Sequence, residues 1–392
     1  MHLARSAPTL RFTEHTQIGL RPAGGSKIKM TIKLKPLSEQ TIVLTGATSG
    51  IGLVTARMAA RRGAKLVLIA RNEDALRTLT WEIINSGGNA GYVPADVANE
   101  SDLQRAAAEA IKEYGAIDTW INDAGVSIYG KLENVPHEDS RRLFETNFWG
   151  VVYGSIIAAR HLSERGGALI NIGSTLSDRA IPIQGMYCAS KHAVKGFTDA
   201  LRMELEAEGA PISVTLIKPS AIDTPYKDHA KNYLGVLPQN PPPVYSPETV
   251  AETILYCAEN QVRDVFVGGG GKVLSAMGEY APRLTDMVME KTMIDIQQTD
   301  EPTGRNPKEG LHGSADASLT ERGGYDGHVS ESSVYTKASL HPLAAGAALA
   351  LGVGAVIALS NHLRSSSEYP SRQQQVIDGD PRSDMAAAAG GL

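Results

Sequence analysis

Two side chains one helical turn apart carry the clearest chemical signal. Tyr187 and Lys191, in Tyr187-Cys188-Ala189-Ser190-Lys191, stand four residues apart early in an expected helix, so they project from one face. A phenol titrates near 10, too high for easy proton exchange at neutral pH, and an ammonium beside it favours the phenolate. Such a tyrosine can give a proton to a carbonyl oxygen or take one from an alcohol. A lone Tyr–Lys pair is usually a solvated helix face. A second signal gives this pair its meaning: Thr45-Gly46-Ala47-Thr48-Ser49-Gly50-Ile51-Gly52 joins a β-branched run to a helix. A Gly-rich turn at that junction lets backbone approach a pyrophosphate, which rests on the unsatisfied N–H groups of the helix N-terminus.

The elements that must position these groups follow from short apolar runs. Thr41–Leu44, Lys65–Ile69, Gly91–Val93, Ile117–Ile121, Ala168–Ile172, Ile212–Ile217 and Val265–Val267 read as strands. Between them, segments such as Ile51–Arg62 and Leu103–Tyr114 place apolar residues at helical spacing. Continuous apolar strands alternating with helices predict an α/β Rossmann-type, doubly wound parallel sheet of about seven strands, with helices on both faces. This unit spans residues 37–271, and no internal repeat is evident.

The glycine spacing is G-x-x-x-G-x-G, not G-x-G-x-x-G. Together with Y-x-x-x-K it resembles the short-chain dehydrogenase/reductase family, in its short single-domain branch. Ser174 lies 13 residues before Tyr187, where that family places its catalytic serine, and Asn147 matches the family's helix asparagine. Asn122-Asp123-Ala124-Gly125 resembles N-N-A-G, Asp96-Val97 the pair that borders adenine, and Pro219-Ser220-Ala221-Ile222-Asp223-Thr224 the P-G-x-x-x-T loop. The resemblance implies a catalytic set of Asn147, Ser174, Tyr187 and Lys191. It also implies a dinucleotide held by Gly46, Thr48, Ser49, Gly50, Ile51, Gly52, Arg71, Asn72, Asp96, Val97, Asn122, Ala124, Gly125, Tyr187, Lys191, Pro219, Ile222 and Thr224. Ser174 would hydrogen-bond the substrate oxygen. Lys191 would grip the nicotinamide ribose, and Asn147 would hold a water linking Lys191 to solvent. Two departures, Asp123 for Asn and Ser220 for Gly, are expected to be a tolerated structural change and a slight reshaping of the nicotinamide loop.

Charge speaks to the cofactor. Where NAD-preferring proteins carry an acid at the end of the second strand, this chain has Ala70 followed by Arg71-Asn72. A guanidinium can pair with a 2′-phosphate, so NADP(H) is expected over NAD(H), with NAD(H) still possible. No H-E-x-x-H or Cys/His spacing occurs, and no metal site is expected. Cys188 reads as a small packing residue, and Arg61-Arg62 and Arg141-Arg142 as solvated helix faces.

The chain has 392 residues, more than one such unit requires. A net charge of −5 argues against a nucleic-acid binder driven by phosphate attraction. Two cysteines, Cys188 and Cys257, make no disulfide framework and fit a reducing compartment. Residues 1–36 are basic apart from Glu14; they read as a disordered arm, with a transit peptide or a true start at Met30 as alternatives. Residues 272–297 read as an amphipathic helix, packed on the domain or lying on a membrane surface. Residues 298–340 read as a polar linker. Within residues 341–360, Leu343–Leu359 carries no polar side chain and reads as a transmembrane helix. Residues 361–392 read as a disordered tail.

The leading expectation is therefore an oxidoreductase moving a hydride between NADP(H) and a carbonyl or secondary alcohol. The apolar loop Tyr226–Tyr245 and the anchor favour a lipophilic small-molecule substrate. The catalytic domain is placed in the cytoplasm at a membrane, or alternatively free in the cytoplasm. A catalytically silent cofactor sensor or scaffold is the alternative, which the intact Ser174, Tyr187 and Lys191 oppose. An extended-branch epimerase is opposed by the Gly spacing. The resemblance also implies a homodimer or homotetramer through helices near residues 137–163 and 184–209.

Overall fold

The computed structural model describes residues 32–304, 309–314 and 319–367. Most of the basic arm (1–31), two short pieces of the expected linker (305–308 and 315–318) and the tail from 368 lie outside the described residues.

Seven parallel strands form the central sheet: β1 (Thr41–Thr45), β2 (Lys65–Ala70), β3 (Asn89–Pro94), β4 (Thr119–Asn122), β5 (Gly167–Ile172), β6 (Ile212–Pro219) and β7 (Asp264–Val267). Their spatial order is β7-β6-β5-β4-β1-β2-β3. The order reverses between β1 and β4, where Ile42 pairs with Leu66 on one side and Thr119 on the other. In such sheets the crevice at the reversal, beyond the carboxyl ends of the strands, is the ligand site.

The helices are α1 (Gly50–Arg61), α2 (Glu73–Asn85), α3 (Glu100–Tyr114), α4 (His137–Phe144), α5 (Gly150–Leu162), α6 (Gly185–Glu208), a short α7 (Tyr226–His229) and α8 (Pro247–Glu259). Two apolar clusters back the sheet. One gathers Leu53, Leu76, Leu79 and Ile254 from α1, α2 and α8; the other gathers Leu103, Ile157 and Leu205 from α3, α5 and α6. All of these side chains except Ile157 and Leu205 are completely shielded from water. Burial of that kind stabilises by about 1.5–3 kcal/mol per large side chain, and it fixes the strand ends that carry the chemistry.

Beyond residue 268 the structure departs from the expectation of one helix and a linker. Residues 269–296 form two helices, α9 (Gly269–Tyr280) and α10 (Pro282–Ile296). Pro282 has no N–H to continue the first helix and disfavours helical backbone before it; Ala281 sits at φ −138°, ψ 57°. The described residues between 298 and 340 dock on the sheet unit and its loops. Gln298–Pro302 pairs antiparallel with Val236–Pro238, and Val329–Ser330 pairs in parallel with Val244–Tyr245. In α11 (Val334–Leu340), Thr336 Oγ1 accepts from Gly268 N (3.0 Å) and donates to Phe266 O (3.2 Å). Backbone and hydroxyl contacts of this kind leave no apolar periodicity in the sequence. The last helix, α12, runs Pro342–Ser367. Its stretch Pro342–Asn361 has a mean hydropathy of 2.2 and lies wholly outside the protein core. At 1.5 Å per residue those 20 residues reach about 30 Å, the thickness of a bilayer's hydrocarbon.

Candidate active site

The turn after β1 is closed against the loop after β4. Gly46 has φ 74°, and a Cβ there would lie 2.9 Å from the Ala124 backbone; a Cβ on Gly52 would lie 2.1 Å from Gly46 O. No side chain fits either place. Thr45 fastens the two loops, its Oγ1 accepting from Asp123 N (3.0 Å) and Ala124 N (3.1 Å). Thr45 was not singled out as a site residue, because only the register of β1 beside β4 reveals its reach.

A cleft of about 110 Å³ lies over this turn, lined by Gly46, Thr48, Ser49, Arg71, Asn72, Asp96, Val97, Ala124 and Gly125, among others. Its floor is bare backbone at Gly46 and its far end is a guanidinium, so the residues present fit a dinucleotide's phosphates. Gly50 and Ile51 border the adjoining chamber. Asn72 Oδ1 caps α2 by accepting from Ala75 N (3.0 Å). Asp96 accepts from Ala98 N (3.0 Å) and from Arg142 (2.5 Å). Arg142 thus leaves the solvated face expected of it, drawn in by that carboxylate and by Leu311 O at 3.1 Å. Asn122 does not line the cleft. Its amide donates to Asn171 (2.8 Å) and Ser155 (3.2 Å) and accepts from Trp120 (2.8 Å), bracing the sheet from below.

The reacting end lies beyond β5. Ser174 caps a single 3₁₀ turn, Thr175–Ser177, its Oγ accepting from Leu176 N (3.0 Å), and lines the same chamber as Tyr187. Lys191, buried on the next turn of α6, has its Nζ 5.7 Å from the Tyr187 ring centroid and donates to Ile172 O (2.8 Å). The side chain of Asn147 sits in a π-helical turn, Glu145–Trp149, that joins α4 to α5. It accepts from Val126 N (2.8 Å) and donates to Val126 O (2.9 Å) and Ser190 Oγ (3.2 Å).

Burial dominates the electrostatics of the cofactor-free site. Burial pushes the Tyr187 phenol up to about 12, against the neighbouring Tyr226 and Ser174 hydroxyls, which pull it down. Burial also brings the Lys191 ammonium down to about 8, opposed by Asp123. Burial raises the Asp123 carboxyl to about 7, opposed by Lys191 and by the Gly52 N–H. Tyr226 is a site residue that no spacing signalled. Its hydroxyl meets Ser127 Oγ (2.6 Å) and Gln184 Oε1 (3.1 Å), and its ring centroid stands 5.4 Å from that of Tyr187.

From Tyr187 a chamber of about 470 Å³ opens toward the extension. Pro219, Ile222 and Thr224 border it, as do Tyr129, Leu176, Ile181 and, from α9 and α10, Leu274, Met277, Met289 and Met293. Ser220, the second departure, fastens α9: its Oγ accepts from Gly271 N at 3.1 Å. Cys188 is buried with Ile181 and Met289, and burial pushes its thiol up to about 11.

A doubly wound sheet with a glycine cradle at the reversal and a Ser–Tyr–Lys group beside it defines a nicotinamide-dependent oxidoreductase. Comparison with known proteins makes this specific. The short chain dehydrogenase family model matches residues 40–233. An uncharacterised oxidoreductase of Bacillus subtilis, YxnA, is 47% identical over 326 residues, 82% of this chain and 91% of the relative, a match longer than the 37–271 unit alone. The dehydrogenase/reductase SDR family member 7B of Danio rerio is 30% identical over 274 residues, 65% of this chain and 88% of the relative. An alcohol dehydrogenase from Thermococcus sibiricus, solved with 5-hydroxy-NADP, shares the fold at a TM-score of 0.52 and 24% identity, covering 58% of this chain and 95% of that one. The chain belongs to the short-chain dehydrogenase/reductase family, and it is an NAD(P)-dependent dehydrogenase/reductase.

Proposed function

We propose that this enzyme moves a hydride between NADP(H) and a lipophilic ketone, aldehyde or secondary alcohol, with Tyr187 as general acid in reduction and general base in oxidation. The observation that carries the reading is the chamber itself: Ser174 and Tyr187 at one end, methionines and leucine of α9 and α10 at the other. A carbonyl oxygen placed between Ser174 Oγ and the Tyr187 hydroxyl would take a hydrogen bond from the first and a proton from the second. Bound NADP(H) supplies the hydride and, when oxidised, a positive charge that favours the phenolate. That charge, with the Lys191 ammonium, would offset the burial that holds Tyr187 high. Gly46, Thr48, Ser49, Gly50 and Ile51 would cradle the phosphates, with Gly52 packed beneath the turn against Gly46. Asp96 and Val97 would flank the adenine, Ala124 and Gly125 the ribose between the two ends, and Lys191 the nicotinamide ribose. Arg71 would pair with the 2′-phosphate, as no acid stands at the end of β2.

The apolar span in α12 supports attachment to a membrane, the two free cysteines fit a catalytic unit in the cytoplasm, and Tyr280, Leu284 and Met287 leave an apolar face exposed on α9 and α10. Exposed Trp149 and Met203, near the helices named for association, support a homo-oligomer. The test is a panel of lipophilic and small polar carbonyls with NADPH and NADH, run on the full chain and on Arg71→Asp. Turnover restricted to polar sugars refutes the substrate class. Wild-type preference for NADPH should fall by about tenfold or more in Arg71→Asp; an unchanged preference refutes the role of Arg71.

A further inference from the structure

Residues 309–314 and 319–325 cross the open side of the cofactor cleft and touch it at three places. At the adenosine end, Arg71 donates to Gly310 O (2.5 Å) and Arg142 Nε to Leu311 O (3.1 Å). At the phosphate turn, Gly50 N donates to Thr320 O (2.9 Å). At the nicotinamide loop, the Asp223 carboxylate accepts from Gly323 N and Tyr325 N, both at 3.1 Å. Gly323 approaches so closely that a Cβ would lie 2.2 Å from Thr224 O.

Both stretches are anchored outside the cleft. Leu311 is wholly buried in the cluster that holds Val135 and Leu143. His312 Nε2 lies 2.7 Å from Asp139, Lys231 pairs with Glu309 at 2.7 Å, and Arg57 pairs with Glu321 at 2.7 Å. Gly310 and Ser314 face Thr48, Arg71 and Asp96 across the cleft. The cleft therefore has two walls: one made by the sheet, the other by the extension.

We propose that these two stretches are a clasp for the cofactor, a second binding wall that parts for the dinucleotide to enter or leave and re-forms against it. The proposal rests on the assignment of this cleft to NAD(P). The chemistry favours a wall that moves. Apart from the buried Leu311 and the partly buried Leu319, the clasp is held by single hydrogen bonds and part-exposed ion pairs, each worth about 3 kcal/mol or less, whereas the sheet side is held by apolar burial throughout. Elements held in this way open locally far below the energy of global unfolding. Arg71 has five N–H donors, and the clasp engages two of its nitrogens. The guanidinium can thus hold clasp and phosphate together, which makes the clasp part of the cofactor's grip.

The experiment uses the full chain in detergent. His312→Ala with Glu321→Ala removes one anchor from each stretch and leaves the cleft lining intact. Stopped-flow NADPH fluorescence should show dissociation faster by about tenfold, with faster association as well. In the unmutated chain, hydrogen exchange of the peptides bearing Gly50 and residues 319–325 should slow when NADPH binds. NADPH binding with unchanged rates in the double variant, or exchange in 319–325 that is unaffected or accelerated by NADPH, overturns the clasp alone. Absence of binding by both NADPH and NADH overturns the cofactor assignment and the clasp with it.

Discussion

The seven-stranded unit and the extension build one site by different means. In the first, Leu53, Leu76, Leu79 and Leu103 are sealed from water and fix strand ends, so that Ser174, Tyr187 and Lys191 need only be aimed. In the second, Thr320, Gly323 and Glu321 work through backbone amides, carbonyls and ion pairs. Apolar burial at about 1.5–3 kcal/mol per side chain makes a rigid frame; hydrogen bonds at about 1 kcal/mol make attachments that can be released and remade. The division suits an enzyme whose chemistry needs fixed geometry and whose ligands must still come and go. α9 and α10 mix the two modes, offering the chamber an apolar wall from outside the sheet unit, and Leu311 adds one buried side chain to the hydrogen-bonded stretch.

The sharpest way to separate the two regions is to disable chemistry in the first. Tyr187→Phe keeps the ring against Tyr226 and loses the proton, so kcat should fall by about 10³-fold while NADPH titration by fluorescence stays near wild type. A loss under tenfold would break the assignment of Tyr187. A smaller effect should come from the second region. Met293→Ser on α10 should raise KM for a long-chain ketone by about tenfold and leave a small cyclic ketone nearly unaffected, as read from steady-state rates on both. Equal effects on the two ketones would mean that α10 only supports the fold.

The same contrast explains what could be read in the sequence. Parallel strands buried on both faces must be continuous apolar runs, so Thr41–Leu44 and Lys65–Ile69 announce themselves. Gly46 and Gly52 are constrained by contacts within a few residues or across one strand pair, and the Tyr187–Lys191 spacing is local to one helix turn. The extension hid because a segment that docks through its backbone has the composition of a linker. Arg142 hid because its partners, Asp96 and Leu311, are 46 and 169 residues away. Tyr226 hid in a loop with no periodicity, although it lies against Tyr187. Burial around Tyr187 was equally out of reach: a local rule supplies the neighbouring charge of Lys191, but only the packed structure supplies the burial that raises the phenol in the cofactor-free chain.

Asp123 gives the finest test, because it is a titrating group set inside the rigid region. In the folded chain burial holds its proton up to about 7, whereas an unfolded carboxyl releases it near 3.8. Between those values the folded state binds the extra proton, so stability falls as pH rises. The contribution is fully present below 3.8 and lost by the time pH passes about 7. Asp123→Asn is an amide of the same shape with no proton to lose, and it should escape this decline. Its melting temperature relative to wild type should therefore rise between pH 5 and pH 8, by about 3 °C for each kcal/mol involved. Thermal unfolding of both chains in one detergent at the two pH values reads this difference directly. An identical offset at pH 5 and pH 8 would mean that Asp123 is already ionised at pH 5, with Lys191 rather than burial setting its charge.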